Sequence, residues 1–337
     1  MSAILSALRA ATARRDLTSD EMTAAMEQIA SGDVNQIQVG ALLTALHTKG
    51  ETAEEISSAA RVMRRHAKKV DVAERVVVDT CGTGGDGAGT FNISTTAAIV
   101  AAAAGASVAK HGNRSASSRC GSADVLEELG VVLGDTEVFQ QCMKKARLGF
   151  LFAPNHHSAF KAVGATRTAL GVPTIFNLIG PLANPASATR QVVGVSTEGH
   201  VAVVADALRS LGTEHALVVH GDGTDEIAVS GTTIVHEVRQ NSLSAFTLTP
   251  DELGLSTWRR EDLRGGDAAR NAAICTAVLS GETGGPRDAV LANAGAALYV
   301  AGRARSIRAG VKLAARAIDD GRARRTLATV VALSRAK

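Results

Sequence analysis

Three stretches of this sequence have the residue types and spacing to do chemistry. The first is the glycine-rich DTCGTGGDGAGTFNIST, Asp79 to Thr95. Small residues let backbone N–H groups approach phosphate oxygens, and a helix starting just beyond adds positive potential. The second is AKHGNRSASSRCGSAD, Ala109 to Asp124. With Thr90, Asn92, Ser94 and Thr95 of the first stretch, its Lys110, Asn113, Arg114, Ser115, Ser117, Ser118 and Arg119 make a field of hydroxyl, amide and cationic donors. Lys110 follows a strand-like run, which predicts its amine at the C-terminal edge of a sheet. The third is HGDGTDEIAVSG, where Asp222, Asp225 and Glu226 share a glycine-bearing loop. Carboxylates on open backbone suit magnesium, which takes one or two of them together with phosphate and water.

Gly82-x-Gly84-x-x-Gly87 matches the dinucleotide fingerprint, but that fold also needs an acidic residue about 20 positions on to hold the ribose. No Asp or Glu occurs from Gly87 to Ala123. The Walker pattern fails as well, since Ala88 and Gly89 follow Gly87. The ligand indicated is rich in phosphate, such as a sugar carrying both a monophosphate and a diphosphate. A fourth stretch, Ala153 to Ala186, offers His156, His157, Lys161 and Arg167. Arg167 has the fork geometry to clamp a carboxylate. The two histidines read as packing residues, and no general base is assigned.

The elements that must position these groups alternate. Arg75 to Asp79 is a β-branched run that reads as a buried strand, and ISTTAAIVAAAAG as a helix ending at Gly105. SVAKHGN reads as a second strand and SADVLEELG as a second helix. This alternation predicts an α/β fold with a mostly parallel sheet flanked by helices. Further strands are expected at GFLFA, QVVGVS, HALVVHG, EIAVS and TTIVHEV, the last two as an antiparallel edge. DAARNAAICTAVLSG and the stretch from Asp288 to Ala336 read as helices. Residues 1–70 read as helices only, with capping boxes at Thr18/Glu21 and Thr52/Glu55. The expected organisation is a small helical-bundle domain, 1–70, completed by helices within about 156–185, and an α/β domain, 71–337.

The charge balance, 36 Lys and Arg against 33 Asp and Glu, offers no extended basic face for nucleic acid. The longest apolar run, Ala97 to Ala109, is shorter than the ~18 residues a bilayer span needs. The four cysteines lack C-x-x-C spacing and the N-terminus lacks the order of a signal peptide, so a cytoplasmic protein with no membrane partner is expected.

Four segments carry a resemblance that spans nearly the whole chain: GTGGDGAGTFNIST, VAKHGNRSASSRCGSADVLEELG, FNLIGPLANPA and GDGTDE. Together they resemble anthranilate phosphoribosyltransferase, of tryptophan biosynthesis. The KHGNR form separates the chain from the pyrimidine nucleoside phosphorylases, which share the architecture. Ser158 stands where the family often has proline, and Cys81 where it often has a small aliphatic residue. The resemblance implies a homodimer joined through the helical domains. It implies phosphoribosyl pyrophosphate and anthranilate as substrates, with Mg2+. By the same resemblance phosphoribosyl pyrophosphate would meet Gly82, Gly85, Asp86, Thr90, Asn92, Ile93, Ser94, Thr95, Lys110, His111, Gly112, Asn113, Arg114, Ser117, Ser118 and Ser122. Magnesium would meet Ser94, Asp225 and Glu226, and anthranilate Gly82, Asn113 and Arg167. Lys110 would act electrostatically. The reaction implied is displacement of pyrophosphate from C1 of the ribose by a neutral aromatic amine, which needs no strong base.

Overall fold

The computed structural model describes residues 2–32, 34–115 and 119–336. It opens with helices α1 (Ala3–Thr12), α2 (Ser19–Ala30), α3 (Gln36–Lys49) and α4 (Ala53–His66). Thr18 and Thr52 accept from the Glu21 and Glu55 N–H groups, and each glutamate reaches back, so both capping boxes form. Glu55 does more than cap. It is fully buried and also accepts from the Leu17 N–H at 2.8 Å.

The chain then alternates: β1 (Val78–Asp79), α5 (Ile93–Ala103), β2 (Val108–Gly112), α6 (Ser122–Glu128), α7 (Thr136–Ala146) and β3 (Leu148–Phe152). Three helices follow, α8 (Ala153–His156), α9 (Lys161–Leu170) and α10 (Ile175–Ile179). Next come β4 (Arg190–Gly194), α11 (Gly199–Ser210), β5 (His215–Gly221), β6 (Thr233–Arg239) and β7 (Ser242–Leu248). The chain ends with α12 (Pro250–Leu253), α13 (Ala268–Leu279), α14 (Gly285–Val300), α15 (Ile307–Asp319) and α16 (Arg322–Arg335).

Among the described residues the strands form one seven-stranded sheet, ordered β3-β2-β1-β4-β5-β6-β7. The first five run parallel and the last two antiparallel. This is the expected α/β class, with α5, α13, α14, α15 and α16 packed over one face. The other face carries α11, and through α11 and α10 its core is continuous with that of α1 to α4. Helix α9 lies against α3.

The edge differs from expectation. EIAVS, Glu226 to Ser230, is not a strand, and β6 pairs antiparallel with β5 and β7 instead. Side chains have taken the polar groups a ladder would need. Ile227 N–H and C=O both bond the Asn293 amide, at 3.0 and 3.1 Å, and Ala228 N–H donates to Thr233 Oγ1 at 2.9 Å. The first strand is also shorter than Arg75–Asp79. Only Val78 and Asp79 pair, with Val108 on one side and Arg190 and Gln191 on the other.

Candidate active site

The site lies at the C-terminal ends of the parallel strands. β1 sits between β2 and β4, where the winding of the sheet reverses, and open α/β sheets place ligands at such a point. β1 runs into the glycine loop and β2 into the Asn113 loop. β5 runs into a turn closed by Gly221 and Thr224 at 3.0 Å, which delivers Asp225 and Glu226.

Those two carboxylates reach across to the glycine loop. Asp225 Oδ2 accepts from the Gly84 N–H at 2.8 Å, and the Asp225 N–H donates to Asp86 Oδ2 at 3.3 Å. Glu226 Oε1 accepts from the Ser94 N–H at 3.0 Å, in the first turn of α5. Asp86, Ser94, Asp225 and Glu226 are thus brought together. The approach requires missing side chains. A Cβ on Gly82 would stand 2.6 Å from Asp225 Oδ2, and one on Gly194 would overlap the Asp225 carbonyl oxygen.

Burial raises the proton affinity of both Asp225 and Glu226. Repulsion from Asp86 adds to it at Asp225, and repulsion from Asp225 adds to it at Glu226, where Lys110 opposes. Lys110 lies within β2 rather than after it. It is 3 % exposed, and its Nζ donates to Thr80 O and Oγ1 at 3.0 and 3.4 Å. Its ammonium is a buried charge behind the loop. Beside it, Asp79 accepts from the His111 N–H at 3.1 Å and from Asn184 Nδ2 at 2.7 Å. Burial pushes the Asp79 carboxyl up to about 6. Asp79, Cys81 and His111 bring possible ligand atoms within 4.8 Å of one another. Both Asp79 oxygens are engaged, however, and the Lys110 ammonium opposes a second cation there. The acidic group at Asp225 fits a cation better, because Asp86, Asp225 and Glu226 repel one another there.

Gly112, Asn113 and Ser122 also meet. The Asn113 N–H donates to Ser122 Oγ at 3.2 Å, and a Cβ on Gly112 would clash with that oxygen. Arg114 turns outward to Asp124 at 3.1 Å and Glu127 at 2.5 Å. Gly85 takes φ +79° within the loop, Thr90 pairs with Arg264, and Ile93 and Thr95 are buried in the first turn of α5. Ser117 and Ser118 lie outside the described residues. Asp222 parts from the acidic pair and binds Ser230 Oγ at 2.7 Å and Arg260 at 3.3 Å. Arg167 stacks over the Phe176 ring at 5.6 Å and reaches Asn177 Oδ1 at 3.4 Å. Burial lowers its pKa, and among the described residues it has no carboxylate partner.

His111 meets His157 edge-on, with ring centroids 5.2 Å apart. Burial, reinforced by neighbouring histidines, holds them near 3 and 4, so both stay neutral. Asp79, Thr80, Asn184, Asn271 and Asn293 also hold the site together, and none of them is among the residues expected from the sequence. Asn271 and Asn293 had a signal: each is a lone amide on the apolar stripe of a helix that it shares with buried alanine, valine or leucine.

Two family patterns match the chain. The glycosyl transferase family helical bundle domain matches residues 2–67, and the glycosyl transferase family a/b domain matches residues 74–324. An anthranilate phosphoribosyltransferase of Anaeromyxobacter sp. (strain K) is 56% identical over 318 residues, 94% of each chain. One of Chloroflexus aggregans is 51% identical over 336 residues, 98% of each. Among solved structures, the anthranilate phosphoribosyltransferase of Thermus thermophilus superposes with a TM-score of 0.93 at 43% identity, covering all of both chains. The Saccharomyces cerevisiae enzyme, in complex with PRPP and Mg, gives 0.89 at 28% identity, covering 98% and 97%. With both family patterns in sequence and half or more of the residues shared along nearly its whole length, the chain belongs to the anthranilate phosphoribosyltransferase family of glycosyl transferases.

Proposed function

We propose that the junction of the glycine loop, the start of α5 and the Asp225–Glu226 turn is where this enzyme carries out its reaction. That reaction moves the phosphoribosyl group of phosphoribosyl pyrophosphate to the amine of anthranilate, giving N-(5-phosphoribosyl)anthranilate and pyrophosphate. The observation that carries the assignment is that Asp225 accepts from the Gly84 N–H and Glu226 from the Ser94 N–H, while Asp86 accepts from the Asp225 N–H.

Ser94, Asp225 and Glu226 are the residues we assign to magnesium, with Asp86 alongside. Their crowding supports this: burial first, and then mutual repulsion, raises the proton affinities of Asp225 and Glu226, and a divalent cation would offset both. Magnesium bound there supplies Lewis-acid neutralisation of charge on the diphosphate. The loop N–H groups that hold carboxylates here have the geometry to hold phosphate oxygens. Gly82, Gly85, Thr90, Asn92, Ile93 and Thr95 belong to the same loop and helix start, and Gly112, Asn113 and Ser122 to the neighbouring one. Lys110 sends positive potential through the Thr80 peptide towards the leaving pyrophosphate, preorganised by burial. The anthranilate amine is neutral at pH 7, so positioning replaces a strong base. His111 and His157, held neutral where their rings meet edge-on, do not draw off a proton. Arg167, a buried guanidinium with no carboxylate partner among the described residues, is assigned to the anthranilate carboxylate, with Gly82 and Asn113 beside the amine. Arg114 is committed to Asp124 and Glu127, which places it on the rim.

The helical domain is assigned to residues 1–70 with α9 and α10. In support, Thr166 hydrogen-bonds Gln36, and Ile175 and Phe176 share the core of α1 to α4. A homodimer through this domain is supported by an open hollow of 820 Å³ lined by Leu8, Ala41 and Leu170, beside an Ile37 that is 82 % exposed. A cytoplasmic location is supported by four cysteines in the thiol form. Among the described residues no helix is long and apolar enough to cross a membrane.

The decisive assay follows anthranilate fluorescence. It should fall on adding phosphoribosyl pyrophosphate with Mg2+, and thymidine with phosphate should release no thymine. Constant fluorescence with thymine release would assign a nucleoside phosphorylase instead.

A further inference from the structure

Asn271 is 2 % exposed, in the first turn of α13, and its side chain meets Asn92 at the start of α5. Its Oδ1 accepts from the Gly266 N–H at 2.7 Å, and its Nδ2 donates to Asn92 Oδ1 at 2.8 Å. Asn92 Nδ2 in turn donates to the Cys120 carbonyl at 3.2 Å. The two ends set the polarity of this relay. A backbone N–H only donates and a carbonyl only accepts, so neither amide can turn over without breaking a bond at both of its ends. Among the described residues the second Nδ2 hydrogen of Asn92 has no partner, which leaves it for an anionic ligand.

The relay closes a clasp. The Phe91 N–H donates to Leu263 O at 3.1 Å, and the Gly265 N–H donates to Gly89 O at 2.9 Å. The end of the glycine loop is therefore pinned to Leu263–Gly266, and Asn271 ties that pin to the loop amide of Asn92. The early part of the loop has Gly84, Gly85 and Gly87 at positive φ and is held instead by the carboxylates of Asp86 and Asp225.

We infer that Asn271 is a positioning residue for phosphoribosyl pyrophosphate: it orients the Asn92 amide so that an N–H, not a carbonyl oxygen, faces the substrate. The inference rests on the site assignment above and adds a residue from α13 to it. Asn271→Asp is the informative change. The carboxylate still accepts from Gly266 but sets an oxygen against Asn92 Oδ1. Asn92 must then turn over, which puts its oxygen against the Cys120 carbonyl and a lone pair towards the phosphates.

The test is a double-mutant cycle in steady-state kinetics with wild type, Asn271→Asp, Asn92→Ala and the pair. Asn271→Asp should raise KM for phosphoribosyl pyrophosphate about tenfold, as expected for one misdirected hydrogen bond. KM for anthranilate should stay within about twofold. On the Asn92→Ala background the same change should add less than about twofold, because the relay has already lost its far end. Equal rises in both KM values, effects that multiply, or kinetics unchanged from wild type would overturn the inference. Asn271→Ser is the second variant and should show the same split between substrates. If neither variant folds, Asn271 serves folding alone and the inference fails. An inactive wild type would overturn the functional reading itself, which is a separate outcome.

Discussion

The helical domain and the junction to which we assign the reaction each bury a cluster of charges, and the two are built on opposite terms. In the helical domain Lys49 meets Asp16 at 2.6 Å and Glu55 at 3.0 Å, and the Lys49 and Glu55 side chains are 4 % and 0 % exposed. Glu55 also accepts from the Leu17 and Thr52 N–H groups, each at 2.8 Å. Burial opposes the Lys49 charge, yet the two carboxylates outweigh it and hold its pKa above the ordinary lysine value. Every charge there has a partner inside the protein. At the junction Asp86, Asp225 and Glu226 crowd together while Lys110 spends its hydrogen bonds on Thr80. A saturated cluster holds a fold together, whereas one with negative charge to spare stores a binding site for something positive.

That contrast can be broken, the largest effect first. Asp225→Asn with Glu226→Gln should lower kcat/KM by at least about 10³-fold, ~4 kcal/mol of transition-state stabilisation. It should also flatten the Mg2+ titration and leave the melting temperature unchanged or higher, since repulsion is removed. A normal Mg2+ titration would erase the distinction between the clusters. Glu55→Ala should do the reverse: destabilise the protein by about 3 kcal/mol in urea unfolding, because Lys49 is left buried with fewer partners. Its kcat/KM in the folded state should stay within about twofold. Gly82→Ala pushes a methyl against Asp225 and should cost ~30-fold in kcat/KM, about 2 kcal/mol, with little loss of stability. Arg167→Ala should raise KM for anthranilate about tenfold and that for phosphoribosyl pyrophosphate by less than about twofold; equal rises would remove Arg167 from the carboxylate site.

The smallest effect lies at the exposed end of the helical domain. Arg15, by its hydrogen bonds, and the Thr18 N–H hold the Glu21 carboxyl down at about 2. A depressed carboxylate stabilises the fold above its unfolded value and loses that contribution as pH falls through the folded one. Glu21→Gln should therefore lower stability at pH 7 by less than about 1 kcal/mol, discounted for solvent screening. The difference from wild type should vanish as pH falls towards about 2, checked by thermal unfolding across that range.

Features that depend on near neighbours in the chain were legible without coordinates. Both capping boxes, the α5 helix behind the glycine loop and the β2–α6 unit are set by residues within a few positions of one another. The absence of an acid from Gly87 to Ala123, which turned the reading away from a dinucleotide, is likewise a property of the string. The misreadings share a cause. EIAVS has strand-like residues, but Asn293 and Thr233 take its backbone groups from elsewhere in the chain. Asp222 has the right type and spacing for the acidic pair, but Ser230 and Arg260 draw it away.

Sequence by itself determined the class of fold, the capping of the first helices and the phosphate-seeking character of the glycine loop, because each follows from local backbone preference and residue chemistry. Tertiary structure alone decided which charges stand unbalanced. Glu55 and Glu226 are both glutamates beside a helix start. One is answered by Lys49 and two N–H groups of its own domain. The other meets the Ser94 N–H from 132 residues away and shares its surroundings with two more carboxylates. Coulomb energy depends on distance and burial, and the chain sets neither until it has folded.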